Sequence, residues 1–473
     1  MEEAKSGTNV FLFMCIVCLT MHHPSFASYE GQSADPKKAV VGQIIISGNK
    51  VTKQRVILNE LVFSYGDTIM VNKIGEAIKN SRNNLLNTSL FNFVSITYAK
   101  RDNNELIFHV KVDERWYWWA FPIFEYADRN FSSFLESKDW SRVNYGVYLK
   151  RDNFRGRKER LKMRVRVGYA TQVSLLFDSP EYRRKTGWGV EFNVVAKNQL
   201  SYRTIDNRPE FILFDEGMAQ YQYNSGIYYA YRSDFYQRHN LKLSHFAYNV
   251  NDSVIGLNPN YLTEGDSELQ FLTLGYSYNY DRRDSKAYPL KGRKVTLELQ
   301  KHGLGVLTNK LDDLSFGVQV QEYIELSRLF HYGATFEGVA STSDHLPYIL
   351  KSGIGYDSFI NGYELYVIDG TKRALLQNRM LFTLLEPRVK NIGFMPLSQF
   401  AKIHYAFYLK AYFDMGYAWL DSPDVSNTLA NDLQYGYGLG IDMVTFYDKV
   451  VSFNYSFNKL GQHGFFMHIN LDF

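Results

Sequence analysis

Apolar and polar residues alternate along most of this chain, and the pattern is plainest at its end. In Gly464–Phe473, the residues Phe465, Met467, Ile469, Leu471 and Phe473 alternate with Phe466, His468, Asn470 and Asp472. A period of two puts one set on each face of a β-strand, one face apolar and the other mostly polar. Val451, Phe453, Tyr455 and Phe457 repeat the pattern against Ser452, Asn454 and Ser456. Soluble domains usually end in polar, frayed residues. An aromatic end instead suits a strand that closes a barrel against the first strand, with its apolar face towards lipid. The same alternation, punctuated by turn residues, predicts sixteen strands from Trp116 onward, centred near residues 122, 146, 163, 174, 192, 225, 243, 274, 296, 318, 335, 379, 408, 439, 453 and 469. An even number is what bacterial barrels require.

Before Trp116 the texture is mixed. Val41–Val51 reads as a strand running into a Gly-Asn turn. Lys53–Val62 and Val71–Leu86 have helical spacing, the second with Ile74, Ala77, Ile78 and Leu85 on one side. Phe93–Ala99 and Glu105–Val112 are alternating strands around a polar Arg101–Asn104 turn. Strand, helix, helix, strand, strand makes a small α+β unit. The cluster Trp116, Tyr117, Trp118 and Trp119 marks the handover, as expected where a strand crosses the interfacial level. The expected division is therefore 1–28, 29–39 (a polar leader), 40–115 (the α+β unit) and 116–473 (the barrel).

Residues 1–28 read as a secretory signal, with Val10–Met21 as apolar core and Ser25-Phe26-Ala27 as a small-residue cleavage site. A membrane anchor is the alternative, but about a dozen apolar residues are few for a spanning helix. Both cysteines, Cys15 and Cys18, fall in this segment, so the mature chain is expected to carry neither disulfides nor a thiolate metal site.

Composition sharpens the barrel reading. The chain has 36 Tyr and 34 Phe, yet its mean hydropathy is slightly negative. Averaging over both faces of an alternating strand hides the lipid-facing half. A formal charge of +4 without a basic cluster of interleaved aromatics gives no case for nucleic acid. Gly-x-Ser-x-Gly, His-Glu-x-x-His and P-loop patterns are missing, so no catalytic residue, cofactor or metal is expected. His404 and His468 are read as polar filling of the lumen rather than as parts of a hydrolase site.

Connection lengths agree with sixteen crossings. With the α+β unit on the inner side, Leu200–Gly217, Asn249–Ser267 and Ser341–Thr371 fall outside and are long, whereas Arg151–Gly156, Arg232–Asn240 and Phe446–Lys449 fall inside and are short. Arg388–Phe400 is an inner turn of unusual length.

Several stretches resemble one family. IIISGNKVTKQRVI and NNLLNTSLFNFVSITY resemble the first strand and helix start, and the second helix and second strand, of a POTRA domain. Tyr280-Asp281-Arg282-Arg283-Asp284 with Pro289 and Lys291-Gly292-Arg293 is similar to a periplasmic turn motif of the BamA/TamA outer-membrane proteins (bacterial surface antigens). Charged residues with Pro and Gly also make a solvated hairpin turn in any barrel. Phe359-Ile360-Asn361-Gly362-Tyr363-Glu364 resembles the family's inner-loop motif, in which an arginine pairs with acidic groups of the barrel wall. Here Asn361 takes that place, and an amide cannot supply a guanidinium's fixed charge, so the clamp is expected to be weaker or differently made.

The resemblance implies a mainly β protein: a 16-stranded antiparallel transmembrane β-barrel preceded by a small α+β POTRA-like domain, in the bacterial outer membrane with that domain in the periplasm. It implies a non-enzymatic assembly or translocation factor whose barrel seam opens sideways. The seam would be formed by the first strand, where Pro122 lacks a ladder donor, and by Phe465, Met467, Ile469, Leu471 and Phe473 of the last. The partners implied are outer-membrane lipids, unfolded outer-membrane proteins, and periplasmic or lipoprotein partners at the POTRA-like domain. A passive pore or surface receptor on the same scaffold is the alternative.

Overall fold

In the computed structural model the described residues are 38–101, 104–126, 140, 143–180, 185–307, 310–391, 393, 400, 402–445, 447 and 449–470. The expected signal segment, the leader through residue 37, and Leu471 and Phe473 of the last strand lie outside them.

Periodicity explains the first unit. Strand β1 (Lys38–Ser47) runs parallel to β4 (Glu105–Glu114), and β4 pairs antiparallel with β3 (Phe91–Lys100). Alternate residues Ala39 and Val41 are 1% and 0% exposed, which draws the end of the expected leader into β1. A short β2 (Thr68–Met70), too brief to show a period, covers only Lys38–Val40 of β1. Helix α1 (Gln54–Leu58) and helix α2 (Ile74–Asn87) add Ile57, Ile74 and Leu85 to a core where Phe63 stacks on Phe108 at 4.1 Å. The sequence pattern extends the first helix to Val62, but the chain turns after Leu58, with Glu60 N–H donating to Ile57 O and Leu61 N–H to Leu58 O. That turn aims Glu60 at the barrel.

The remaining strands are β5 (Trp118–Tyr126), β6 (Val143–Phe154), β7 (Glu159–Gly168), β8 (Ala170–Ser179), β9 (Thr186–Lys197), β10 (Gln199–Ile205), β11 (Arg208–Leu213), β12 (Gln220–Arg232), β13 (Gln237–Val250), β14 (Glu268–Asp281), β15 (Gly292–His302), β16 (Asp313–Glu325), β17 (Phe330–Ser341), β18 (Lys372–Asn391), β19 (Lys402–Trp419), β20 (Gln434–Thr445), β21 (Lys449–Asn458) and β22 (His463–Asn470). All but the β10–β11 hairpin form one antiparallel sheet of 16 strands in chain order. Each expected strand centre falls inside one of them. Outward residues such as Tyr435, Tyr437, Leu439 and Ile441 are exposed, while inward Gln434 and Asp442 are buried. An apolar outside and a polar inside is the arrangement a lipid-spanning barrel needs. The unusually long inner turn begins as ladder, since Arg388–Asn391 pairs with Lys402–Tyr405. Register shifts between Thr383 and Arg388 break the alternation there and hide the strand from pattern reading.

The first unit docks against turns at one end of the barrel. Lys53 N–H donates to Gly156 O at 2.9 Å, and Asn153 Nδ2 donates to Thr52 Oγ1 at 2.8 Å. Lys286 N–H donates to Asn87 Oδ1 at 3.1 Å. The carboxylate of Glu60 accepts from Lys158 Nζ at 3.1 Å and from both terminal nitrogens of Arg232 at 3.0 and 2.8 Å. These contacts fix the unit beneath the lumen.

Candidate functional site

The connection between β17 and β18 folds back into the barrel, and its tip lands on inward-facing residues of β17 to β22. Reciprocal 2.8 Å backbone bonds between Ile354 and Ile368 close its neck. Below them Ile360 and Tyr363 are 0% and 1% exposed. Asn361 donates to Asp414 of β19 from its amide nitrogen at 2.5 Å and from its backbone at 3.1 Å, and its side-chain oxygen accepts from Asn454 of β21 at 3.2 Å. The Gly362 carbonyl accepts from Asn458 Nδ2 at 2.8 Å, and Tyr363 Oη donates to Gln434 of β20 at 2.8 Å. Glu364, buried, accepts from Gly362 N–H at 2.8 Å and sits 3.3 Å from His468 Nε2 on β22, a charge-range contact without hydrogen-bond alignment. Phe359 stacks on the same imidazole at 5.0 Å.

The tip can approach this closely because the wall beneath it has little side chain. At Gly436 an added Cβ would stand 1.8 Å from the Asn361 carbonyl oxygen. Just before the tip, Ser358 binds Glu337 of β17 at 2.6 Å, and Arg373 of β18 binds the same carboxylate at 2.6 Å. Where the family resemblance implies an arginine, this chain clamps the loop with neutral amides. Asn361→Arg is therefore expected to strengthen the clamp by about 1–2 kcal/mol, since a charged donor to a carboxylate outweighs a neutral one. The check is melting together with protease cleavage in 342–371. Unchanged melting and unchanged cleavage would mean that the guanidinium does not reach Asp414.

The Asp281–Gly292 turn joins β14 and β15 next to the docked unit. Arg283 makes a two-pronged pair with Asp281 at 2.8 Å for each bond. Asp284 accepts from the backbone of Ser285, Leu290 and Lys291 at 2.9, 3.1 and 3.2 Å, so it shapes the turn from within. Burial pushes its carboxyl up from the usual range, against the pull of those N–H groups. Gly292 has φ +106°, and a Cβ there would meet Arg282 O at 2.3 Å, so the turn needs a glycine. Arg282 lies over the Tyr236 ring at 5.6 Å, on the neighbouring turn. The turn is not merely a solvated hairpin. Tyr288, next to Pro289, reaches the inner wall, stacks on Tyr408 at 4.7 Å and donates to Asp442 at 2.8 Å, where Lys410 also binds at 2.7 Å. Pattern reading missed Tyr288 because one aromatic in a charged turn carries no period.

At the seam, Pro122 is exposed and lies opposite Val147 of β6. Phe465 and Ile469 face outward, 62% and 45% exposed, and Met467 lies opposite Phe453 of β21. Phe466 and His468 face inward. Among the described residues no ladder joins β5 to β22, whereas every other neighbouring pair in the sheet is laddered. Loop tip, turn and seam thus share one stretch of wall, with the tip ending on the last strand. Of the two histidines, His468 lies under the tip and His404 lies opposite Val389 in the β18–β19 extension. No group of three metal-ligating side chains occurs among the described residues.

Comparison with known proteins fits this geometry. A POTRA model, described as a surface antigen variable number repeat, matches residues 39–115. A model of the Omp85 superfamily domain matches residues 153–373. Among solved structures, BamA from Haemophilus ducreyi lacking POTRA domains 1-3 is similar with 14% identity and a TM-score of 0.52, covering 91% of this chain and 84% of that one. CdiB from Escherichia coli is similar with 11% identity and a TM-score of 0.56, covering 91% of this chain and 76% of that one. At such identities the likeness is one of fold. No curated protein matches the chain.

Proposed function

From a chain that belongs to the Omp85 outer-membrane β-barrel proteins, with one POTRA domain ahead of its sixteen strands, we propose an assembly or translocation factor that hands β-forming polypeptides to the membrane at the seam between β5 and β22. The observation that carries this reading is that seam, the one place in the sheet where neighbouring strands share no ladder among the described residues. An unpaired strand edge is a template for another strand. With the POTRA domain in the periplasm, its own edge strand β3, paired on one side only, would receive an incoming segment or a periplasmic or lipoprotein partner. The start of that strand is held at the barrel by Lys402 over the Phe93 ring at 5.2 Å, and the chain just after β4 by Trp116 N–H donating to Tyr447 at 3.0 Å. Substrate would therefore be delivered near the seam. The loop tip, touching β22 through Glu364 and Phe359, would hold the last strand until a substrate strand replaces those contacts. No bond is made or broken in this mechanism, and the outer-membrane lipid is the medium that receives the product.

The test is reconstitution in liposomes, with folding of a urea-unfolded small barrel followed by its resistance to protease. Acceleration over empty liposomes, abolished by an engineered disulfide between β5 and β22, is the expected result. No acceleration, with a steady ion conductance instead, would overturn it in favour of a passive pore.

A further inference from the structure

Strand β7 places Arg160, Lys162, Arg164 and Arg166 on alternate residues, so all four share the lumen face, while Leu161, Met163 and Val167 are exposed on the other. Lys150 of β6 lies directly opposite Lys162. Among the described residues, two carboxylates contact these cations and a third stands opposite one of them. Asp152 contacts Lys150 at 3.0 Å and Arg160 at 3.3 Å. Glu125 contacts Arg166 at 2.8 Å and Arg164 at 3.9 Å. Asp178, opposite Arg160, is bonded by Tyr228. Among the described residues positive charge is in excess on this face, and the buried Arg166 Nε–H meets no acceptor. Like charges directly opposite on one face cost stability. Packing does not require a cation at every position, because β8 sets the neutral Ser174 and Gln172 directly opposite Arg164 and Arg166, while the acidic groups on the next strands, Asp178 and Glu191, are engaged by Tyr228 and Lys242.

We propose that this ladder binds an acidic, extended polypeptide segment with carboxylates on alternate residues, an inference that rests on the polypeptide-handling function above. The cations recur every second residue of a strand, about 6.6–6.8 Å. Alternate side chains of an extended peptide recur at the same interval, so successive carboxylates meet successive cations. A linear polyphosphate has a far shorter repeat and would meet them out of step. The ladder also stands where such a segment would travel. It starts at the POTRA end and runs the length of the third barrel strand, two strands past the seam, while the loop tip packs on the strands before it. Ladder and tip flank the seam from its two sides.

The test uses the full chain in nanodiscs and a labelled peptide of alternating Glu and Thr, about ten residues long, to span the ladder. Binding should weaken as salt rises, and a Gln-Thr peptide should not bind. The double variant Lys162→Gln with Arg164→Gln should weaken the acidic peptide about tenfold, and Lys162→Arg should keep the affinity. If the double variant does not fold, Lys150→Gln on the neighbouring strand carries the comparison. Equal binding of acidic and neutral peptides, or full affinity in the folded double variant, overturns the proposal. Tripolyphosphate binding without peptide binding overturns it too. Acidic-peptide binding without any acceleration of barrel folding would uphold the ladder and remove the assembly reading. Acceleration without peptide binding would do the reverse.

Discussion

Gly436→Ala is expected to release the inner loop from the barrel, so that residues 342–371 are cleaved by protease faster than in the native protein. The methyl carbon would stand 1.8 Å from the Asn361 carbonyl oxygen, a backbone atom, and 3.3 Å from the Ile360 side chain. One side must move. At Gly436 strand β20 is laddered to both β19 and β21, whereas the loop tip is held by side-chain bonds, so the tip yields. Overpacking alone costs about 1–3 kcal/mol. Lifting the tip also breaks the Asn361–Asp414 and Tyr363–Gln434 bonds and exposes Ile360 and Tyr363. Gly275→Ala on the same inner face is the control, because a Cβ there meets nothing nearer than 3.9 Å. It should leave cleavage unchanged. A Gly436→Ala protein as resistant as the native one would show that the tip does not occupy this wall.

What could be read from the sequence follows from which constraints are local. Every lipid-crossing strand must alternate, so all sixteen announced themselves, including Tyr435–Met443 with its row of inward glycines. The motif around Asn361 could be found by resemblance, but its landing place could not. Its partners Asp414, Gln434, Asn454, Asn458 and His468 sit on four strands, each an ordinary inward polar residue in its own window. The lumen ladder was legible in principle, since Arg160, Lys162, Arg164 and Arg166 alternate as regularly as the apolar residues between them. Only the sheet, however, puts Lys150 opposite Lys162. Glu60 was the least visible of all. It sits in what looks like a helix surface, and its partners Lys158 and Arg232 are 98 and 172 residues away. A periodic pattern reports which face a residue is on, not which distant turn will meet it.

Glu60 is also where the second large effect is expected: Glu60→Gln should loosen the POTRA domain from the barrel mouth at neutral pH, and acid should do the same to the native protein. Burial by itself would raise this carboxyl, but the charges of Lys158 and Arg232, with their hydrogen bonds, outweigh it and lower the value from 4.5 to about 2. A folded-state value below the ordinary one means that the stabilisation is fully present above about 4.5 and is lost as pH falls from there to about 2. A shift of that size corresponds to about 3 kcal/mol, because each unit is worth about 1.4. The Gln variant forgoes that stabilisation at every pH. It should not lose much more, because the Gln amide oxygen can still accept a hydrogen bond and Arg232 keeps the Phe235 carbonyl at 3.2 Å. The Thr52–Asn153 and Lys53–Gly156 bonds remain, so the domain loosens without unfolding. A pair of spin labels, one in the POTRA domain and one on the β12–β13 turn, reads the separation directly. The native protein should broaden its distance distribution only in acid, and Glu60→Gln should be broad already at pH 7 and change little below it. Identical narrow distributions for both proteins down to the acid limit would mean that the interface does not depend on this carboxylate.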